Sequence, residues 1–124
     1  YATVIHQTAD VSGVLEPGRS PLDCVKALFP GGSITGAPKI SAMQAIDALE
    51  RGERGLYTGA IGYFDVGGKV DLNVAIRTLR VANGRLSFQV GGGIVWDSDP
   101  ASEYEETLLK AQAMVSALGG SLHE

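Results

Sequence analysis

Glycine punctuates this chain. Of its 124 residues 17 are Gly, close to twice the usual frequency of about 7%, and they gather in clusters at 31–32, 67–68, 91–93 and 119–120. Gly without a Cβ serves tight turns and places where backbone comes close to something else. The chain must therefore be built from short elements. Its apolar runs are broken by polar residues well before the 18 or so that a membrane span needs, so no membrane association is expected.

Hydrophobic residues make up 44% and charged residues 19%, enough to bury a core and too apolar for a disordered tail. The length fits one domain. A net charge of −4 argues against a nucleic-acid surface. Cys24 has no partner for an internal disulfide, His6 and His123 stand far apart, and no basic start precedes an apolar stretch near Tyr1. A reducing, cytoplasmic setting is the expectation. With no zinc-type spacing, any metal would be a hard cation on carboxylates.

Local patterns predict an α+β chain. Tyr1–Thr8 reads as a strand. Ser20-Pro21-Leu22-Asp23 supplies a capping hydroxyl, a first-turn Pro and an acid at the positive helix end, with Leu22, Val25, Leu28 and Phe29 as the buried stripe. A second helix is expected from a first-turn Pro38, burying Ala42, Ala45, Ile46 and Leu49. The period then changes to two. Tyr57–Val95 is expected to form a three-stranded antiparallel meander turning at Gly67-Gly68 and Asn83-Gly84, with Val70, Leu72, Val74 and Ile76 on one face of its middle strand and Trp96 packed in the core. The last helix starts at Asp97-Ser98-Asp99-Pro100 and ends at Gly119-Gly120, its apolar stripe being Tyr104, Leu108, Ala111, Val115 and Leu118.

Four groups of residues could carry chemistry. At about 100° per residue Glu103, Glu106 and Lys110 share one narrow stripe of the last helix, suited to a hard cation beside an anion or to a plain solvated face with an i,i+4 pair. Gly91-Gly92-Gly93 either cradles an anion with backbone amides or makes a bulge. Arg77, placed on the strand face opposite Val74 and Ile76, offers a fork for a carboxylate or a surface salt bridge, and Tyr57 opens the first strand of the meander. Gly31–Lys39 nearly matches a phosphate-binding loop, but Ala37 stands where its Lys belongs and Pro38 removes an amide. What survives there is a hydroxyl-bearing loop at a helix start.

In order along the chain, GGSITGAPK at 31–39, YTGAIGYF at 57–64, AIRT at 75–78, GGGIVWDS at 91–98 and EYEET at 103–107 with Lys110 resemble the C-terminal part of the chorismate-binding enzymes. The resemblance runs from about Leu22 to Leu118. Within the family, Gly-Gly-Ser-Ile-Thr at 31–35, Asp71-Leu72-Asn73 and Trp96 are similar to the aminodeoxychorismate synthase form rather than the anthranilate synthase form.

The resemblance implies that Glu103 and Glu106 hold Mg²⁺, and that Ser33, Thr35, Tyr57, Arg77, Gly91, Gly92, Gly93 and Lys110 contact chorismate. It implies amination of chorismate with ammonia from a glutamine amidotransferase partner, giving 4-amino-4-deoxychorismate for 4-aminobenzoate and folate. It also places a second Mg²⁺ glutamate and a ring-attacking lysine N-terminal to these motifs. Residues 1–124 are therefore expected to be an incomplete domain, catalytically silent alone and prone to self-association through an exposed apolar seam.

Overall fold

The computed structural model describes residues 8–122, which form an α+β chain of four helices and two separate antiparallel hairpins. The strand expected at Tyr1–Thr8 lies almost wholly outside the described residues, as do His6 and His123.

Helix α1 (Pro21–Leu28) starts where its capping residues put it. Ser20 N donates to Asp23 Oδ2 at 2.8 Å and Asp23 N to Ser20 Oγ at 3.3 Å, a reciprocal capping box that holds the Asp23 carboxylate below its usual pKa range. A single turn, α2 (Gly32–Thr35), follows and packs on α3 (Lys39–Leu49). Pro38 does not open the first turn of α3 as expected. It is the N-cap, and its carbonyl accepts from Ala42 N at 3.0 Å.

Strands β1 (Ala60–Phe64) and β2 (Val70–Val74) pair in the register Ala60↔Val74 to Phe64↔Val70. Their turn is a residue longer than the expected Gly67-Gly68 pair. Gly68 N bonds to Asp65 O and Asp65 N to Lys69 O, so residues 66–68 make a three-residue loop whose last member, Gly68, has φ +86°. Backbone pairing continues through Thr58 N to Ala75 O and Ala75 N to Gly59 O, both 2.9 Å, and then stops. Ile76 N turns back to Val74 O and Arg77 takes φ +49°, so neither residue extends the strand face on which each was expected.

Strands β3 (Arg80–Ala82) and β4 (Arg85–Ser87) form the second hairpin around Asn83-Gly84, both at positive φ as a type I′ turn demands. The expected three-stranded meander is thus two hairpins in two sheets, and Phe88–Val95 is not a strand. Helix α4 (Pro100–Ala117) begins at Asp99, whose side chain accepts from Ser102 N at 2.9 Å, and Gly119-Gly120 closes it with bonds to Ser116 O and Val115 O.

Burial departs most from expectation. Among the described residues only Ala75, Ala111 and Met114 are fully buried hydrophobics. Leu22, Leu28 and Phe29 of the α1 stripe, Ala45 and Leu49 of α3, and Tyr104 and Leu118 of α4 are exposed, as is Trp96 at 98%. Leu108, Ala111 and Val115 of the α4 stripe are half-buried or buried as expected, and the inward face also takes in Glu103, Thr107, Lys110 and Met114. The chain exposes 10646 Å², where a closed monomer of 12.9 kDa would expose about 6,300 Å². No helix among the described residues is long and apolar enough to cross a membrane.

Candidate functional site

The site is built where the glycine run lies on the polar stripe of α4. A Cβ on Gly92 would sit 2.9 Å from Glu103 Oε2 and 3.9 Å from Thr107 Oγ1, so the backbone passes close enough to the helix that a side chain here would displace the Glu103 carboxylate. Lys110 Nζ donates to Gly91 O at 3.1 Å and pairs with Glu106 Oε1 at 2.6 Å. Two of its three donors are then in use. At the start of the stripe, Ser98 Oγ donates to Glu103 Oε1 at 2.5 Å and accepts from Val95 N at 3.0 Å, tying the segment after the glycines to the helix.

Tyr57 approaches from the other side. Its hydroxyl oxygen would lie 2.9 Å from a Cβ on Gly91. Tyr57 and Thr35 line one open cleft of about 640 Å³ together with Met43, Ile46, Glu50 and Arg54. A second, of about 330 Å³, is lined by Ile94, Ser98, Pro100, Glu103, Tyr104 and Thr107. Tyr57, Gly91, Gly92, Glu103, Glu106 and Lys110 are thus one constellation drawn from β1's approach, the glycine run and α4.

Four expected members stand outside that constellation. Ser33 and Arg77 are exposed and line neither of these clefts, and Thr35, although it lines the Tyr57 cleft, spends its hydroxyl on Gly31 O at 3.2 Å. Gly93 has no atom within 4 Å of a Cβ position. Sequence reasoning missed Arg54, Thr107 and Ser98. Thr107 had a signal, since it follows Glu103 by four residues and so shares its face.

The residues present fit a hard divalent cation as a carboxylate pair one turn apart. No group of three or more metal-ligating side chains exists among the described residues. Mg²⁺ is compatible with one or two protein carboxylates, the rest of its shell being water and an anionic ligand. Glu103 and Glu106 each have one carboxylate oxygen engaged, by Ser98 and by Lys110 respectively.

Against known proteins, residues 1–116 match the family described as chorismate binding enzyme. The chain belongs to that family. It is 52% identical over 118 residues to the aminodeoxychorismate synthase of Streptomyces griseus, covering 95% of this chain and 16% of that one. It is 50% identical over 120 residues to an anthranilate synthase component I-like protein of Synechocystis, covering 97% and 25%. The crystal structure of anthranilate synthase component I from Streptococcus pneumoniae superposes with a TM-score of 0.78 at 48% identity, over 82% of this chain and 23% of that one. This member of the chorismate-binding family therefore spans a quarter or less of these relatives' length, and its α+β fold is that of the matched part of the solved enzyme.

Proposed function

We propose that this chain carries the chorismate-binding face of an aminodeoxychorismate synthase component I. The observation that carries the reading is the glycine run laid against Glu103 with its first carbonyl on Lys110. Chorismate is a dianion. The third donor of Lys110, the amides of Gly91–Gly93 and the Tyr57 hydroxyl are the groups to meet its carboxylates, with Thr35 lining the same cleft as Tyr57 and with Ser33 and Arg77 exposed outside it. Glu103 and Glu106 hold Mg²⁺, which when bound supplies a positive charge that polarises a substrate oxygen.

Lys110 has a second task. Its ammonium, paired with Glu106 at 2.6 Å, would compensate a substrate carboxylate if Glu106 were engaged by a cation. In the parent reaction, ammonia delivered by a glutamine amidotransferase replaces the C4 hydroxyl of chorismate, which leaves as water. The groups in residues 8–122 bind and orient; a nucleophile for the ring and a further metal carboxylate belong to other segments, so the 124-residue chain alone does not turn over. The large exposed area, about 1.7 times that of a closed monomer, supports both that reading and self-association of the isolated chain.

Anthranilate synthase component I is the competing reaction, favoured by the Synechocystis and Streptococcus pneumoniae relatives. Gly31–Thr35 and Asp71-Leu72-Asn73, together with the Streptomyces griseus relative, favour the aminodeoxychorismate product. Calorimetric titration of chorismate into the chain tests the site. Binding is expected only with Mg²⁺, lost in Glu106→Ala and kept in Glu105→Ala, which alters an exposed α4 carboxylate. Absence of binding at every Mg²⁺ concentration would overturn the proposal. Fluorescent anthranilate formed by the complete parent chain with ammonia would decide for the competing reaction.

A further inference from the structure

The loop between α3 and β1 holds a half-buried cation whose contacts are not with the Glu103–Lys110 stripe. Arg54 turns back on the helix it follows, its Nε donating to both Glu50 carboxylate oxygens at 3.0 and 2.9 Å and its Nη2 to one of them at 2.5 Å. Its Nη1 reaches forward to Thr58 Oγ1 at 3.3 Å, and the guanidinium carbon lies 5.5 Å from the centre of the Tyr57 ring. One side chain thus joins the C-terminus of α3, the Tyr57 ring and the residue after it. Only a planar fork with several donors can do all three. The pair is only partly screened from water, the Arg54 side chain being 22% and that of Glu50 38% exposed, and the Arg54 hydrogen bonds hold the Glu50 carboxyl below its usual range.

The backbone here needs such support. Thr58 sits at φ +63°, a left-handed conformation unfavourable for a β-branched residue. Its hydroxyl donates to Tyr57 O at 2.5 Å while accepting from Arg54. The strain matters because of what it aims. Tyr57 leaves this corner with its hydroxyl against Gly91, whose carbonyl accepts from Lys110. No other contact described above brings the α3–β1 corner to the glycine run.

We propose that Arg54, clamped by Glu50, is a positioning residue that orients Tyr57 and the strained Thr58 so that the phenol meets Gly91 beside Lys110. The role in substrate binding rests on the chorismate reading above; the positioning itself does not. Arg54 touches no proposed substrate atom and acts through Tyr57 alone.

NMR on the isotope-labelled 124-residue chain tests this through the nuclear Overhauser contact between the Tyr57 ring and the Gly91 α-protons. Arg54→Gln and Glu50→Gln are each expected to lose that contact while keeping the cross-strand contacts of β1 and β2. Arg51→Gln, at an exposed neighbour, is expected to keep both. A contact of native strength in a folded Arg54→Gln variant would overturn the proposal. Should Arg54→Gln lose the hairpin contacts as well, Arg54→Lys decides, since it keeps the cation opposite Glu50 but not the fork. A retained hairpin with a weakened Tyr57–Gly91 contact supports positioning; both at native strength, or both lost, overturns it. Chorismate titration of the same variants is read separately, so failure of the native chain to bind would sink the substrate reading and leave the Tyr57–Gly91 contact to decide the role of Arg54.

Discussion

Two glycine-rich segments of this chain look alike on paper and use glycine for different reasons. At 31–36 the requirement is conformational: Gly36 sits at φ +117° with a would-be Cβ 2.9 Å from the Ala42 Cβ, while Gly32 has open space around it. At 91–92 the requirement is close approach, to the Tyr57 hydroxyl and the Glu103 carboxylate. The first segment shapes a connection between two helices. The second presses backbone onto functional side chains, and that contrast separates a fold glycine from a site glycine.

The comparison can be broken most directly at Gly92. A methyl there must push the Glu103 carboxylate aside, and because a carboxylate tip swings easily, Gly92→Ala is expected to change melting temperature little. If Glu103 holds Mg²⁺ as proposed, its displacement should nonetheless weaken Mg²⁺-dependent chorismate binding by about a hundredfold in calorimetry. Unchanged affinity would remove Gly92 from the site. Gly36→Ala should behave oppositely, costing about 2 kcal/mol of stability through its backbone conformation. Thermal unfolding measures that loss, and a variant as stable as the native chain would refute the conformational reading.

A smaller effect distinguishes the helices that the two segments feed. Asp99, the N-cap of α4, is held below its usual pKa range, first by the Ser102 backbone N–H and then by the Ser102 hydroxyl. Its folded value lies below its unfolded value, so the cap stabilises fully above the unfolded value of about 3.9 and is lost as pH falls through the lower folded one. Amide exchange in the first turn of α4 should accelerate over that acid range relative to α3, whose cap is Pro38. Asp99→Asn, which caps without titrating, should flatten the difference. Smallest of all, Gly32→Ala should shift stability by no more than about 0.5 kcal/mol in either direction and leave chorismate binding unchanged.

Caps and turns were legible because their chemistry is local. Ser20 with Asp23, Asp99 with Ser102, and Asn83-Gly84 each satisfy their hydrogen bonds or dihedrals within a few residues, so the residue types alone announce them. The stripe of Glu103, Glu106 and Lys110 was legible for the same reason, being helix geometry. Which side of α4 turns inward was not. The helix carries apolar residues on more than one side; Met114 is buried while Tyr104 of the expected stripe is exposed, and the side chains that meet the glycine run face a segment distant in sequence. Arg54 escaped notice likewise, since a charge in a polar loop looks solvated until Tyr57 and Thr58 are seen beside it.

By itself, then, the sequence determined the starts of α1 and α4, the Asn83-Gly84 hairpin, the α+β class and, through the order of its motifs, the family. Those properties rest on interactions spanning a turn or two of chain. The tertiary structure alone decided that the expected meander divides into two hairpins at the turn through Ala75 and Arg77, and that Tyr57 and Lys110 meet at Gly91. Contacts between residues 34 and 19 positions from Gly91 depend on how elements stack in space, and no local pattern of residue types specifies that.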